Sequence, residues 1–105
     1  MANYEIVSKE EEAIKNDLEP KTAPHSMRLK RYLSMADLSR TAGSPLEEIV
    51  KKAKQVPSLK GFDDIKIPEI VPAKILFDLF NMPEGHPARS PSDTYYADKD
   101  NVLRT

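Results

Sequence analysis

The sequence predicts an α+β fold in which the strands form an antiparallel sheet. Helices are indicated by Ser8 and Ser44, because each is followed three residues later by glutamate, the capping-box pattern of a helix start. Strands are indicated by short runs near residues 65–67 and 94–104, which are bounded by proline or by polar turn residues. The length of 105 residues allows one small domain of this class.

The first part of the chain is predicted to contain two helices separated by a linker. Ser8 begins a helix that extends to about Leu18, and its few apolar residues predict a solvated helix or a frayed arm. Residues 19–24 contain two prolines and are predicted to be a linker. Residues 26–40 are predicted to be helical, although their apolar positions fit neither the helical nor the strand period.

The clearest helix covers residues 44–56. Ser44 can cap it, Pro45 suits its first position, and Pro57 ends it. The apolar residues that share one face, by the spacing i, i+3, i+4 and i+7, are Leu46, Ile49, Val50 and Ala53. A second apolar helix is predicted over residues 73–81.

The predicted strands lie in the second half of the chain. Residues 65–67 alternate in the strand period, and Pro68 limits them to an edge or to the end of a strand, because proline has no N–H for a ladder. Residues 94–97 and 102–104 are predicted to form a hairpin around the polar turn 98–101. Aspartate and asparagine in that turn can cap backbone groups.

Composition excludes several classes of function. Sixteen basic and seventeen acidic residues give a net charge of −1, which excludes a globally polyanion-binding protein. The absence of cysteine excludes disulfides, thiolate metal sites and cysteine nucleophiles. No apolar run approaches the roughly 18 residues that would cross a bilayer, so no membrane span and no signal peptide are expected. A cytoplasmic protein is the expectation.

The residues by themselves indicate no catalytic group and no metal site. His25 and His86 are far apart in the chain and have no further ligands at close spacing. The Asp63–Asp64 pair is typical of solvated loop charges rather than of an acid/base pair.

A basic cluster in residues 28–32 is a candidate nucleic-acid contact. Arg28, Lys30 and Arg31 could follow a nucleic-acid phosphate backbone while Tyr32 stacks on a base. The same pattern is also typical of a solvated basic helix face, and the residues alone leave both interpretations open.

The segment 81–93 is more specific. Two prolines and a histidine make a stiff loop that delivers Arg89 and Asp93 to fixed positions. A guanidinium in such a loop could hold a carboxylate or a phosphate bidentately. A structural Arg89–Asp93 ion pair is an equal alternative.

Six short motifs of the second half resemble one family. They are Pro68-Glu69-Ile70, Leu76-Phe77-Asp78, Asn81-Met82-Pro83, His86-Pro87-Ala88-Arg89, Asp93-Thr94-Tyr95 and Leu103-Arg104-Thr105. Their order and spacing over about residues 44–105 resemble the α chain of phenylalanyl-tRNA synthetase, a class II aminoacyl-tRNA synthetase. The chain departs from the family pattern at Ile67, Leu76 and Tyr95, where the family usually has glycine, asparagine and phenylalanine.

The resemblance implies a truncated piece of an antiparallel-sheet catalytic domain preceded by helices. Residues 44–105 would carry the motif 1 region and the first hairpin, and residues 1–43 would be an N-terminal helical and linker arm. The pocket histidine, the motif 2 arginine and motif 3 of the family would follow Thr105. The chain is therefore expected to be inactive alone, with no cofactor of its own, whereas the full-length family uses ATP and Mg.

The resemblance also implies site residues and partners. Substrate-binding residues would be Arg89, Arg104 and Thr105, with no catalytic residue in this chain. The partners would be the synthetase β subunit, or a second copy through the motif 1 region, and tRNA. Residues 44–105 are expected to expose an apolar surface for such a partner, with residues 102–104 as an open strand edge.

The leading hypothesis is the N-terminal part of a phenylalanine–tRNA ligase α chain, whose full-length protein attaches phenylalanine to tRNA with ATP. The alternatives are a non-catalytic, synthetase-derived interaction module and a small tRNA-binding protein.

Overall fold

The computed structural model describes residues 2–104 and is mixed α/β, with four α-helices and two small sheets in that range. The elements in chain order are β1 (Asn3–Glu5), α1 (Lys9–Leu18), α2 (Pro24–Leu33), α3 (Pro45–Lys54), β2 (Asp64–Lys66), β3 (Ile70–Pro72), α4 (Ala73–Leu79) and β4 (Asn101–Leu103). Short 3-10 turns cover Leu38–Arg40, Pro57–Leu59 and Pro87–Arg89.

The chain divides into two compact units, each built from two separate segments. The first unit consists of Met1–Ile6 and Ser34–Ile67, and the second of Val7–Leu33 and Pro68–Thr105. The predicted division into residues 1–43 and 44–105 stays a prediction.

Both capping boxes form as the sequence predicts. The Ser8 hydroxyl accepts a hydrogen bond from the Glu11 N–H (3.1 Å) at the start of α1. The Ser44 hydroxyl accepts one from the Glu47 N–H (3.0 Å) at the start of α3, where Pro45 is the first helical residue. Each cap satisfies one of the backbone donors that a helix start leaves without a partner.

The prediction of one helix over residues 26–40 is wrong. Helix α2 begins at Pro24 and ends at Leu33, and a separate 3-10 turn follows at Leu38–Arg40. The Asp37 carboxylate accepts a hydrogen bond from the Ser39 N–H (3.0 Å) and thereby caps this turn. A short polar side chain that binds nearby backbone favours a cap or a turn over a helix interior, so Asp37 begins a separate turn here.

The first sheet differs from the expectation of antiparallel strands. Strand β2 begins one residue before the predicted run and pairs in parallel with β1, with Tyr4 opposite Ile65. The Ile6 N–H donates to the Lys66 carbonyl (2.9 Å) at one end of the pair. Strand β1 was not predicted, because three residues are too short to show a strand period. The long connection between β1 and β2 permits parallel pairing, which a short turn cannot.

The second sheet places β4 in a central position. Strand β4 pairs antiparallel with β3 on one side, with Val71 opposite Val102. On its other side, Tyr96 forms an isolated bridge to Val102 and the Leu103 N–H donates to the Tyr95 carbonyl (2.9 Å). The predicted hairpin is therefore confirmed in part, since its first arm contributes a bridge rather than a full strand. The expectation of an open edge at residues 102–104 is wrong, because both backbone edges of β4 are paired.

The buried core belongs entirely to the second unit. The buried apolar residues are Leu18, Leu29, Ile70, Ala73, Leu76, Phe77 and Val102. Every described residue of the first unit stays at least partly exposed, including the predicted apolar face of α3. In the described part of the chain, no helix is both long and apolar enough to cross a membrane.

Candidate functional site

The loop that carries Arg89 is shaped by residues with special backbone conformations. Asn81 follows α4 with φ of 55° and Gly85 has φ of 82°, and both values lie in the left-handed region that glycine and asparagine tolerate best. His86 then caps the 3-10 turn Pro87–Arg89, because its Nδ1 accepts a hydrogen bond from the Ala88 N–H (3.1 Å). These local features set the position and direction of the Arg89 side chain.

The Arg89 guanidinium is held from three directions. Its Nε and Nη2 both donate to the Met82 carbonyl, with Nε at 3.1 Å. Its Cζ lies 4.9 Å from the centroid of the Phe77 ring, a cation–π geometry. Its Nη2 lies 3.7 Å from an Asp78 carboxylate oxygen. The structural ion pair of Arg89 is thus with Asp78 and not with the Asp93 that the sequence suggested.

The loop backbone around Arg89 is fixed by two side chains from the segment before β4. Thr94 is buried and its hydroxyl donates to the Ala88 carbonyl. The Tyr96 hydroxyl donates to the Arg89 carbonyl at 2.5 Å. Sequence reasoning assigned no role to Asp78 or Tyr96, although the i, i+4 spacing of Lys74 and Asp78 was a signal, and these two do pair at 2.8 Å.

Arg89 borders a pocket of about 680 Å³ in the second unit. Its lining residues are Pro72, Ala73, Lys74, Phe77, Asp78, Met82, Pro83, Glu84, Arg89, Tyr96, Lys99 and Asp100. The wall is mixed, with apolar and aromatic groups beside charges of both signs. The Lys74 ammonium and then the Arg89 guanidinium keep the pKa of Asp78 below its usual value, so this carboxylate stays charged near neutral pH.

Arg104 follows β4 and pairs with a different carboxylate. Its Nη2 lies 3.1 Å from Glu69 Oε1, and its backbone N–H donates to the Glu69 carbonyl at 2.9 Å. The structure therefore gives Arg89 and Arg104 separate acidic partners and no shared one among residues 2–104. Thr105, the third predicted substrate-binding residue, lies outside the described residues.

Helix α1 contacts the same sheet through its capping-box glutamate. Glu11 Oε2 accepts a hydrogen bond from the Ile70 N–H (3.3 Å) while Oε1 pairs with Lys15 (2.8 Å). Partial burial raises the pKa of Glu11, but the hydrogen bonds from Lys15 and Ile70 outweigh that effect and the pKa lies below its usual value. Leu18 at the end of α1 is buried. The helix is mostly exposed, as predicted, but it is anchored at these two points.

The basic residues of α2 differ in their contacts. The Lys30 ammonium donates to the carbonyls of Glu19 (3.0 Å) and Lys21 (2.8 Å), so it serves the backbone at the end of α1. Arg28 and Arg31 are exposed, and the Arg31 Cζ lies 5.5 Å from the centroid of the Tyr32 ring. The Tyr32 ring in turn meets the Tyr95 ring edge-on, with centroids 5.2 Å apart.

A second pocket, of about 570 Å³, belongs to the first unit. The apolar residues that line it include Val50, Ala53, Leu59 and Phe62. On its rim, Asp64 pairs with Lys54 (2.6 Å) and with Arg40 (3.0 Å). The Lys54 ammonium and the Arg40 guanidinium hold the pKa of Asp64 below its usual value of 3.8. The lining of this pocket therefore combines apolar side chains with charged groups that pair with one another.

Neither histidine belongs to a metal site in the described range. The His25 Nε2–H donates to the Tyr96 carbonyl (2.9 Å), and His86 caps its 3-10 turn. Among residues 2–104, no group of three or more histidine or acidic side chains converges in a way that could hold a metal ion.

Comparison with known proteins identifies the family. The model of the class II core domain of tRNA synthetases, type F, matches residues 30–105. This chain belongs to that family. The match includes α3, the loop of Arg89 and both strands of the second sheet.

The chain's curated homologues are phenylalanine–tRNA ligase alpha subunits. The alpha subunit of Clostridium perfringens is 34% identical over 106 residues, covering 96% of this chain and 30% of the relative. Those of Fusobacterium nucleatum and Hydrogenovibrio crunogenus are each 39% identical over 61 residues, covering 58% of this chain and 18% of the relative. The chain thus spans between about a fifth and a third of the length of these relatives. No solved structure is a significant match.

Proposed function

We propose that this chain is the N-terminal part of a phenylalanine–tRNA ligase alpha subunit and contributes the motif 1 region and the first strands of its antiparallel catalytic sheet. The observation that carries the proposal is the family match over residues 30–105, together with relatives that are named alpha subunits of this ligase. The reaction of the complete protein would be the ATP-dependent attachment of phenylalanine to tRNA. A cytoplasmic location goes with this proposal.

The site residues would act as preplaced cations. Formation of an aminoacyl adenylate concentrates negative charge on carboxylate and phosphate oxygens, and fixed positive groups stabilise that charge without reorganising. Arg89 and Arg104, with Thr105 beyond the described range, would bind substrate in this role. Their support is that the Arg89 guanidinium is held by the Asp78 carboxylate and the Met82 carbonyl, and the Arg104 guanidinium by the Glu69 carboxylate, all on the same unit.

The exposed apolar residues of the first unit support a subunit contact. Ile49 of α3 is 62% exposed, and Leu46 on the same face is also exposed. Phe62, which lines the pocket of the same unit, is exposed as well. A patch of this kind on a small protein usually marks an interface. The proposed occupant is the synthetase beta subunit, with a second copy of the chain as the alternative.

A chimera tests the proposed function. This chain would replace the matching N-terminal segment of the Clostridium perfringens alpha subunit, and the product would be co-produced with the beta subunit of that enzyme. We expect the chimera to copurify with beta and to charge tRNA with phenylalanine. A chimera that copurifies but charges nothing would favour the non-catalytic interaction module, and one that does neither would overturn the proposal.

The 105-residue chain by itself is expected to show no phenylalanine-dependent exchange of pyrophosphate into ATP. The reason is that the pocket histidine, motif 2 and motif 3 of the family are not among its residues. Exchange above a no-protein control would contradict this expectation.

A tRNA contact through α2 is the second candidate function. It is favoured by the exposed Arg28 and Arg31 beside the edge-to-face pair Tyr32 and Tyr95, which together offer cations and a stacking surface. Replacing Arg28, Lys30 and Arg31 with alanine should reduce the log–log salt dependence of tRNA binding by about 1.5 to 2 units, since Arg28 and Arg31 would each release a counterion at roughly 0.7 to 0.9 units. An unchanged slope would identify the cluster as a solvated helix face.

Lys30→Ala alone separates binding from folding in that experiment. The Lys30 ammonium is bound to two backbone carbonyls. Its loss should therefore lower the melting temperature and leave the salt dependence of tRNA binding almost unchanged. The double variant Arg28→Ala with Arg31→Ala should reduce the salt dependence of tRNA binding and leave the melting temperature almost unchanged.

A further inference from the structure

The Arg89 guanidinium has one nitrogen that the fold does not use. Its Nε and Nη2 donate to the Met82 carbonyl, and its Nη2 lies 3.7 Å from Asp78. Its Nη1 has no hydrogen-bond acceptor among residues 2–104 and is not buried. The side chain is 22% exposed and lines the 680 Å³ pocket of the second unit. A ligand in that pocket can therefore reach two N–H groups of a fixed cation.

The acidic residue nearest to Arg89 does not neutralise it alone. The Asp78 carboxylate lies 2.8 Å from the Lys74 ammonium, which is closer than its 3.7 Å distance to Arg89. Two cations and one carboxylate leave this wall of the pocket with a net positive charge. The remaining lysine of the lining, Lys99, lies 4.0 Å from Asp100. The wall around Arg89 therefore favours an anion.

The same pocket offers an apolar surface beside the guanidinium. Phe77 is buried beneath Arg89, and the partly buried Met82 and Tyr96 pack against the same core cluster. All three residues line the pocket, whose volume is in the range of small-molecule sites. A guanidinium that lies on an aromatic ring suits the binding of a planar anion, because its N–H fork stays in one plane. Charge and apolar surface together define the class of ligand.

We propose that this pocket binds a small organic carboxylate with an aromatic or aliphatic body, and that Arg89 Nη1 donates to the carboxylate. The inference extends the binding role that the proposed function gives to Arg89 and in that respect rests on it, whereas its evidence is the geometry of the pocket. A free amino acid and a carboxylate without an amino group share this chemistry. Glu84 distinguishes them, because it lines the pocket, is exposed and has no cation within 4 Å among residues 2–104.

The first test titrates the isotope-labelled 105-residue chain with phenylacetate and with its neutral amide, phenylacetamide, followed by NMR. We expect phenylacetate to shift the Arg89 Nε–Hε signal and the amide signals of residues 82–84. It should bind about tenfold more tightly than the amide, since a charge-assisted hydrogen bond contributes roughly that factor. Equal dissociation constants for the two compounds, or no saturable shift with phenylacetate, would overturn the proposal. The result does not depend on the folding of any variant.

The second test compares two variants in which glutamine replaces a cation. Arg89→Gln removes the donor and should weaken phenylacetate binding about tenfold. Lys52→Gln removes an exposed cation of α3, outside the pocket, and should leave the dissociation constant unchanged. The melting temperature of each variant shows whether it folds. A folded Arg89→Gln chain with unchanged binding would contradict the proposal.

Phenylalanine and the variant Glu84→Gln identify the source of the carboxylate. If phenylalanine binds more tightly than phenylacetate and Glu84→Gln weakens only phenylalanine, the ligand is an amino acid whose ammonium group meets Glu84. If phenylacetate binds more tightly and Glu84→Gln strengthens it by removing a like charge, the ligand has no amino group. Both outcomes support the carboxylate site. A chimera that fails to charge tRNA would overturn the proposed function and leave these dissociation constants unchanged, so the two failures are distinguishable.

Discussion

The two units of the chain are stabilised in different ways. The second unit contains every buried apolar residue of the described range, with Val102 fully buried between β3 and the 95–97 segment. No described residue of the first unit is buried, and its helix α3 exposes the apolar face that the sequence predicted. Burial of apolar area is the dominant favourable term in folding, so the second unit has a core and the first does not.

The contacts that hold the first unit together are mainly ion pairs and hydrogen bonds. Asp64 pairs with Arg40 and Lys54, and the Ser44 hydroxyl caps α3 while it also donates to the Leu38 carbonyl. Exposed ion pairs contribute little each, about 0 to 1 kcal/mol. The first unit therefore lacks the apolar burial that stabilises the second. The second unit can support an ordered loop by itself.

The largest expected effect comes from removing a core side chain of the second unit. Phe77 is 3% exposed and lies beneath the Arg89 guanidinium. Phe77→Ala should reduce the free energy of unfolding by about 3 to 5 kcal/mol, since it leaves a cavity and removes the cation–π contact. Urea unfolding followed by circular dichroism measures this loss, and hydrogen exchange should locate it in α4 and β4.

Phe80→Ala is the matched control for that substitution. Phe80 follows α4 directly but is 53% exposed, so its removal should change the free energy of unfolding by less than about 1 kcal/mol. Equal losses in the two variants would mean that the second unit has no core of the kind described.

A smaller effect is expected from the ion cluster of the first unit. Asp64→Asn removes two ion pairs and should cost about 1 kcal/mol near neutral pH. Because Lys54 and Arg40 lower the pKa of Asp64 in the folded state, its contribution is present above the unfolded pKa near 4 and is lost as pH falls through the lowered value. The difference between the two proteins should therefore shrink below about pH 4.

Hydrogen exchange of the α3 and β2 amides at several pH values would measure that difference. Asp63→Asn is the control, because the neighbouring Asp63 is exposed and its substitution removes the same charge. An Asp64→Asn effect that persists unchanged at acidic pH would contradict the ionic origin.

The smallest expected effect compares the two serine caps. Ser44→Ala and Ser8→Ala each remove one hydroxyl acceptor, a change that costs a helix about 1 kcal/mol. Helix α1 is anchored by the buried Leu18 and by Glu11, whereas α3 has no buried residue. We expect Ser44→Ala to speed amide exchange in α3 more than Ser8→Ala does in α1. A larger increase of amide exchange in α1 than in α3 would contradict this expectation, because it would mean that α1 is the more weakly held helix.

Local patterns predicted local structure well in this protein. Both capping boxes, the start of α3 at Pro45, the start of α4 at Ala73 and the polar turn 98–101 follow from short-range chemistry. The Asp98 carboxylate accepts hydrogen bonds from the Asp100 and Asn101 N–H groups (2.8 Å each) in that turn. Helix α2 was overextended because the pattern over 26–40 had no clear period and the Asp37 turn was not recognised.

For the candidate site, the sequence predicts the charged residues but not the partners that hold them. Arg89 and Arg104 are apparent in the sequence, and the likeness of their motifs to one family indicated where to look. Their partners Asp78 and Glu69 could not be deduced, because the pairing of Arg104 with Glu69 depends on the register of β3 against β4. Register is a property of the assembled sheet rather than of either strand.

The sequence by itself determined the helix starts, the rigid loop of Pro83 and Pro87, and the family to which the chain belongs, because capping, proline geometry and motif spacing are short-range properties. Only the tertiary structure decided that β1 pairs in parallel with β2, that β4 is central, and that all apolar burial lies in one unit. Those outcomes depend on contacts between residues distant in the chain, whose free energy is set by which surfaces meet.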